Sequence, residues 1–207
     1  MSWRSETMQQ DDSIDFSGIV AGVDEAGRGP LAGPVLAAAV VLHPDRPVVG
    51  LADSKKLSSE RREGLARQIR ERALAWSVAW ADSAEIDALN ILGATLLAMR
   101  RAILGLPLAP DAVRVDGNRL PNLYFGGRCL AGEAIVGGDD KVAEISAASI
   151  IAKTTRDRMM IEMDKIYPCY EFARHKGYAT ELHRARLQEF GPCREHRITF
   201  APIRTAS

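Results

Sequence analysis

Apolar and polar positions along this chain follow two rhythms, one of strands and one of helices. Gly18 to Val23 is a short apolar run that ends in Asp24-Glu25, and Val35 to Leu42 is a second, valine-rich run. Runs of this length bounded by turn residues predict buried strands. The glycine- and proline-punctuated stretch Ala26 to Pro34 predicts the turn that joins them. Trp76, Val78 and Trp80 alternate with Ser77, Ala79 and Ala81, the two-residue period of a strand. Val113 and Val115 lead into Asp116-Gly117-Asn118, and Ala134 to Val136 lead into Gly137-Gly138-Asp139, so two further strands end beside acid.

Between them the period lengthens to that of helices. Ser58 is placed to cap a basic helix reaching about Ala75, with Glu60 in the first turn favoured by the helix dipole. Asp82 and Glu85 stand at capping-box spacing. Ile86, Leu89, Leu92, Leu96, Met99 and Ile103 then recur at three- and four-residue steps as a core-facing stripe, stopped by Gly105 with Pro107 beyond. Small-residue-rich Ser146 to Thr154 opens another helix, and Thr180 to Phe190 forms one more before Gly191-Pro192. Strands mixed with helices in this order predict a layered α/β or α+β fold. Residues 1–17 read as a flexible N-terminal arm, and 18–207 as a single domain.

Composition narrows the class. With 207 residues, of which 46% are hydrophobic, one domain can bury a sizeable core. The longest apolar run, Val35 to Leu42, is too short to cross a bilayer. Met1-Ser2-Trp3-Arg4-Ser5-Glu6 lacks the basic-then-apolar order of a secretory signal, which points to the cytoplasm. Cys129, Cys169 and Cys193 are widely spaced and form no Cys-x-x-Cys, so neither a disulfide framework nor a zinc site is indicated.

The net charge of zero hides a segregation of sign. Acids crowd residues 1–25, whereas 53–72 and 174–204 are rich in Lys and Arg. A protein that binds a polyanion at an acidic metal centre needs such an arrangement, although solvated helix faces produce the same pattern.

Three predicted strands finish in acid: Asp24-Glu25, Asp116 and Asp139. Strand ends on one sheet edge converge, so these carboxylates can share a pocket. Crowded carboxylates repel, and a divalent cation removes the repulsion. Oxygen-only donors without His or Cys favour Mg²⁺ or Mn²⁺ over zinc. Two such ions can carry an in-line phosphoryl displacement. Neighbouring residues on a regular strand face opposite ways, so Asp24 and Glu25 both reach a metal pair only if the strand ends or bulges there. Acids beside turns also serve as structural caps, and spacing alone does not choose between the two roles.

The assembled blocks resemble ribonuclease HII over nearly the whole chain. Gly22-Val23-Asp24-Glu25-Ala26-Gly27-Arg28-Gly29-Pro30 is similar to that family's opening signature, Asp53-Ser54-Lys55-Lys56-Leu57-Ser58 to its second block, and Val115-Asp116-Gly117-Asn118 to its third. Gly138-Asp139 with Ile145 to Lys153 and Arg156-Asp157 resembles the fourth; His175-Lys176-Gly177-Tyr178 and His196 to Pro202 resemble the last two. The resemblance implies a ribonuclease-H-like mixed β-sheet flanked by helices, with a helical C-terminal part, and makes 18–207 one catalytic domain.

It also implies an endoribonuclease that hydrolyses the RNA strand of RNA–DNA hybrids and cuts 5′ of ribonucleotides embedded in duplex DNA. Two Mn²⁺ or Mg²⁺ ions would be held by Asp24, Glu25, Asp116 and Asp139, and the products would carry 3′-hydroxyl and 5′-phosphate ends. Asp140 is a neighbouring candidate ligand, with Asp139 preferred because it directly follows the glycine. Gly27 and Gly29 are suited to bring main-chain groups against the ribose 2′-hydroxyl, the mark that separates RNA from DNA. Tyr178 matches the family tyrosine that packs on the sugar, and Arg28, Lys55 and Lys176 would hold flanking phosphates. Asp157 fits a supporting acid better than a further ligand. No membrane or obligate protein partner is implied, and a monomer is expected. Arg119 to Glu133 is longer than the family commonly has between its third and fourth acids. The nearest rival is ribonuclease HIII, where Gly-Thr-Gly stands in place of Gly27-Arg28-Gly29; a fold that has lost activity is the rival from another class.

Overall fold

In a computed structural model, residues 18–51 and 57–204 are described. The expected N-terminal arm and Lys55 lie outside the described residues. A central sheet is built from β1 (Val20–Ala26), β2 (Val35–Val41), β3 (Ala75–Ala81), β4 (Ala112–Asp116) and β7 (Ala131–Ile135), in the spatial order β3-β2-β1-β4-β7. β1, β2 and β3 form an antiparallel meander, whereas β4 runs parallel to β1 and β7 parallel to β4. The carboxyl ends of β1, β4 and β7 therefore share one edge.

Every residue of β2, Val-Leu-Ala-Ala-Ala-Val-Val, is buried, as a strand covered on both faces requires. Ala37, Ala39 and Val41 pack towards α2 (Ser83–Leu104). Leu36, Ala38 and Val40 pack on the other side with α1 (Ser59–Arg72) and α4 (Ala143–Ile166). Alanine at three successive positions lets both helix layers approach closely. The capping predictions hold in detail: Ser58 Oγ accepts from Arg61 N at 3.2 Å, and Asp82 and Glu85 form a reciprocal capping box.

The predicted leucine stripe of α2 is only partly realised. Asn90 has φ 60, and its Oδ1 accepts from Leu92 N and Gly93 N, so the helix ends and restarts there. That restart rotates the apolar face. Leu89 is left exposed, while Ala94, Ala98, Met99, Ala102 and Ile103 are buried. The stretch between the third and fourth acids holds a small hairpin, β5 (Tyr124–Phe125) with β6 (Arg128–Cys129), that short polar strands did not announce. After β7 come the one-turn α3 (Gly138–Lys141), α4, a 3₁₀ turn at Pro168–Tyr170, α5 (Phe172–His175), α6 (Glu181–Phe190) and α7 (Ala201–Arg204). The C-terminal part is thus helical. The three cysteines are free, and no helix among the described residues is long and apolar enough to cross a membrane.

α4 and β1 meet at backbone distance. A Cβ on Gly22 would fall inside the van der Waals shell of the Glu144 carbonyl and of Ile145 N. Backbone on both sides leaves no side chain free to swing away. Gly22→Ala is therefore expected to destabilise the fold by roughly 1–3 kcal/mol, as overpacking of a tight core does. A drop in the urea midpoint at unchanged m-value checks this; an unchanged midpoint would mean that α4 can lift off the sheet at no cost.

Candidate active site

β1 does not break between its two acids, as the sequence had suggested it would need to. Pairing with β2 continues regularly through Asp24–Ala38, Glu25–Ala37 and Ala26–Leu36. What ends is the other side: pairing with β4 stops at Val23–Val115, so the sheet edge opens just where the acids begin. Asp24 is buried on the α4 face, where Ser149 hydrogen-bonds its carboxylate, and its Oδ1 also accepts from Glu25 N at 2.7 Å. Glu25 is half-buried and lines an open cleft together with Ser149. The same serine thus touches one acid and shares a cleft with the other.

Asp116 ends β4, and its Oδ1 accepts from Gly138 N at 2.8 Å, which ties it to the residue before Asp139. Asp139 is not at a strand end. Gly137 takes a left-handed conformation (φ 65) that turns the chain after β7 into α3, and Asp139 lies buried in that first turn. Its carbonyl accepts from Ser146 Oγ of α4, whereas Asp140 is exposed. Burial pushes the Asp24 carboxyl well above its usual range, and the charges of Glu25 and Asp116 push it further. Among the described residues no three acid, His or Cys side chains are gathered at metal-ligating distance.

Beyond Glu25 the chain forms the loop that joins β1 to β2. Glu25 to Gly29, Ser149, Lys153 and Tyr178 line the cleft, whose volume is about 390 Å³. Gly27 has φ 95, and a side chain there would collide with the Arg156 guanidinium, so glycine is required twice over. Tyr178 is 42% exposed, its ring near Gly29 and under the Lys153 ammonium, 5.9 Å from the ring centre. Lys153 also pairs with Asp157 at 2.6 Å, which gives that acid a supporting place. Arg28 is exposed, and its Nη1 lies 3.4 Å from Glu25 Oε1. Lys176 is not brought into the cleft: its ammonium donates to the Ala173 carbonyl at the end of α5.

Three histidines buttress the Tyr178 segment. His183 Nδ1 meets the Tyr178 carbonyl at 2.9 Å, His183 Nε2 meets His196 Nε2 at 3.0 Å, and His196 Nδ1 meets Cys193 N at 3.0 Å. A carbonyl only accepts and an amide only donates, so these partners assign a neutral relay: Cys193 N–H to His196, His196 Nε2–H to His183, His183 Nδ1–H to Tyr178. His175 stacks on His183 with ring centres 4.3 Å apart. Burial holds His183 and His196 down to about 4.

Sequence comparison decides the family. The Ribonuclease HII family model matches residues 21–202. The chain belongs to the ribonuclease HII family. It is 59% identical over 186 residues to the ribonuclease HII of Bordetella pertussis, covering 90% of each chain. It is 57% identical over 197 residues to that of Burkholderia pseudomallei, covering 94% of this chain and 90% of the relative. Among solved structures, ribonuclease H2 from Pyrococcus horikoshii superposes with a TM-score of 0.73 at 28% identity, over 91% of this chain and 96% of that one. Membership makes the chain a ribonuclease H, an endonuclease that hydrolyses RNA in RNA–DNA hybrids. The fold is the ribonuclease-H-like mixed sheet that the resemblance implied.

Ser149 and Lys153 were within a recognised ribonuclease HII block but not singled out. Their four-residue spacing in a stretch, Ile145 to Lys153, otherwise made of small and apolar residues was the available signal. Arg156 and Arg197, the two largest fully buried side chains, carried no such signal.

The histidine relay generates a pH prediction. Unfolded, each imidazole takes up a proton near pH 6.5; folded, His183 and His196 do so only near 4. The unfolded state then binds more protons between those values, so stability is full above pH ~6.5 and falls as the pH drops towards 4. The slope is expected to reach ~1.4 kcal/mol per pH unit for each imidazole. Urea midpoints measured from pH 7.5 to 5 check it, and a flat profile would show that the pair is not held neutral.

Proposed function

We propose that the acidic edge and the adjoining cleft cut the phosphodiester on the 5′ side of a ribonucleotide, both in RNA–DNA hybrids and at single ribonucleotides embedded in duplex DNA. The raised Asp24 carboxyl is the observation that carries this reading. Burial, Glu25 and Asp116 all oppose its charge, so the cluster suits a cation, and its all-oxygen donors suit a hard one. Asp24, Glu25, Asp116 and Asp139 would hold two Mg²⁺ or Mn²⁺ ions, which when bound supply an activated water and stabilise the leaving oxygen for in-line displacement to 3′-hydroxyl and 5′-phosphate ends.

The remaining work falls to substrate placement. The Tyr178 ring offers a face for the sugar beside the scissile bond, against Gly29. Gly27 and Gly29 bring main-chain groups close enough to meet the 2′-hydroxyl, and a polar site left unpaired by deoxyribose rejects DNA strongly. Arg28 and Lys153 stand ready for phosphates on either side, contacts that position a duplex without reading its sequence. Lys153 takes in this reading the contact that the sequence assigned to Lys176, and Lys55 would add another. Action as a monomer is part of this reading.

Incubation with a duplex holding one ribonucleotide, in Mg²⁺ or Mn²⁺, tests the proposal. Cleavage 5′ of the ribonucleotide is expected. No cleavage with either metal overturns it, and cutting only within runs of ribonucleotides would transfer the chain's preference to the ribonuclease HIII type. Asp116→Asn is expected to lower kcat by at least about 100-fold, the kinetic value of a few kcal/mol of lost charge stabilisation. Its substrate Kd should stay within about threefold; equal losses of binding and turnover would make Asp116 a structural acid instead. Tyr178→Ala should cost about 5- to 100-fold at a lone ribonucleotide, given ~1–3 kcal/mol for a stacking contact, and unchanged kinetics would remove the ring from the site.

A further inference from the structure

Two fully buried guanidiniums lie beneath the β1–β2 loop, and their hydrogen bonds go to main-chain carbonyls. Arg156, from α4, donates Nε to Pro34 O (2.9 Å), Nη1 to Lys176 O (3.0 Å) and Nη2 to Ala32 O (3.2 Å). Arg197, from the segment before α7, donates Nε to Gly33 O (3.0 Å), Nη1 to Arg28 O (2.8 Å) and Nη2 to both Gly27 O (2.6 Å) and Gly33 O (2.9 Å). Burial lowers both guanidiniums, Arg156 to about 10 and Arg197 to about 9, so at neutral pH both remain charged. Burying two cations side by side is costly. A loop whose conformation did not matter would not require it.

The consequence lies on the opposite side of each peptide. In a trans peptide the C=O and N–H point in opposite directions. The Gly27 carbonyl shares its plane with the Arg28 N–H, and the Arg28 carbonyl with the Gly29 N–H. Because Arg197 draws both carbonyls inward to a buried group, both N–H groups turn outward, to the side where Gly27, Arg28 and Gly29 line the cleft with Tyr178. Arg156 fixes the other wall. It bonds Lys176 O, while Leu31 N donates to Gly177 O at 2.8 Å, so the loop and the Tyr178 segment are held at one spacing.

We propose that Arg197 is a positioning residue for ribose selection: by holding the Gly27 and Arg28 carbonyls it presents the Arg28 and Gly29 N–H groups to the 2′-hydroxyl oxygen. The inference rests on the reading of this cleft as the ribonucleotide site. No residue in contact with the sugar needs to be charged for it to work. The guanidinium acts through two peptide planes, and its planar fork satisfies three carbonyls that a single ammonium point charge cannot hold together.

Binding isolates this role from chemistry. Dissociation constants are measured by fluorescence anisotropy in EDTA, so that no strand is cut, for a duplex with one ribonucleotide and for the same duplex in all-deoxy form. Wild type should favour the ribonucleotide duplex. Arg197→Lys should reduce that preference by about tenfold, the equilibrium value of one well-placed hydrogen bond, while its affinity for the all-deoxy duplex changes less than twofold. A folded Arg197→Lys with the wild-type preference overturns the proposal, as does a parallel loss of affinity for both duplexes.

If that variant does not fold, amide spectra of the wild type serve instead. The Arg28 and Gly29 N–H signals should shift with the ribonucleotide duplex and not with the all-deoxy one, and equal shifts overturn the proposal. Wild type that binds both duplexes equally, and cuts neither when metal is restored, would instead sink the reading of the cleft itself.

Discussion

The contact between α4 and β1 at Gly22 is the constraint on which the rest of the site depends. It sets the helix against the strand at backbone distance, with Ile145 N over Gly22. From there the helix advances ~1.5 Å per residue and returns the same face to the strand about every four residues. Ser149 comes round to bond Asp24, Lys153 to border the cleft over Tyr178, and Arg156 to reach beneath the loop. One helix face thus serves the acids, the cleft and the loop in turn. A shift of α4 by a fraction of an ångström would be felt at all three, because none of these contacts passes through a flexible linker.

Charge is distributed by depth. At the sheet edge, burial, joined by the charges of Glu25 and Asp116, drives the Asp24 carboxyl well above its ordinary range. Below the loop, two guanidiniums are buried with the Arg197 charge opposed by that of Arg156. Between the two lies a cleft with a mobile-length cation on each side, Arg28 near Glu25 and Lys153 on Asp157. Both cations are held by carboxylates with partial exposure, where an ion pair is worth little. In the proposed function an arriving phosphate would displace the acid, while the deeply buried charges stay where they are.

Much of this was legible beforehand, and the exceptions share a cause. β2 could be read from its unbroken apolar run, the start of α2 from Asp82 and Glu85, and the shared edge of Asp24, Glu25 and Asp116 from two strands that run into acid. Leu89 was misplaced because the left-handed backbone at Asn90 leaves no mark on residue spacing. Asp139 sits in a helical turn because Gly137 bends the chain after β7 one residue earlier than a strand-end reading allowed. β1 neither ends nor bulges at Asp24 and Glu25: its pairing with β2 continues there, while its pairing with β4 stops at Val23. Arg156 and Arg197 stood within recognised blocks, but their role escaped notice for a deeper reason. Their partners are carbonyl oxygens, which every residue has, so no pattern of side-chain types can reveal the match.

That choice of partner also explains why arginine, rather than an apolar filler, occupies both positions. An inward-turned carbonyl left without a donor in a buried place costs about 1–3 kcal/mol, and Gly27, Arg28, Ala32, Gly33 and Pro34 all turn theirs inward. Leucine or methionine would fill the volume and orphan the oxygens; lysine would reach one or two. A fork of donors rigidly spaced within one plane fixes several peptide planes at once. Fixing them is what recognition of a small hydroxyl demands, because a loop free to rotate its amides would meet deoxyribose by turning away and ribose by turning back. Since Gly27 follows Glu25 by two residues on the same chain, the rigidity that would select the sugar also holds the acid beside it, and the selection of substrate and the placement of the acidic edge become one mechanical property of the loop.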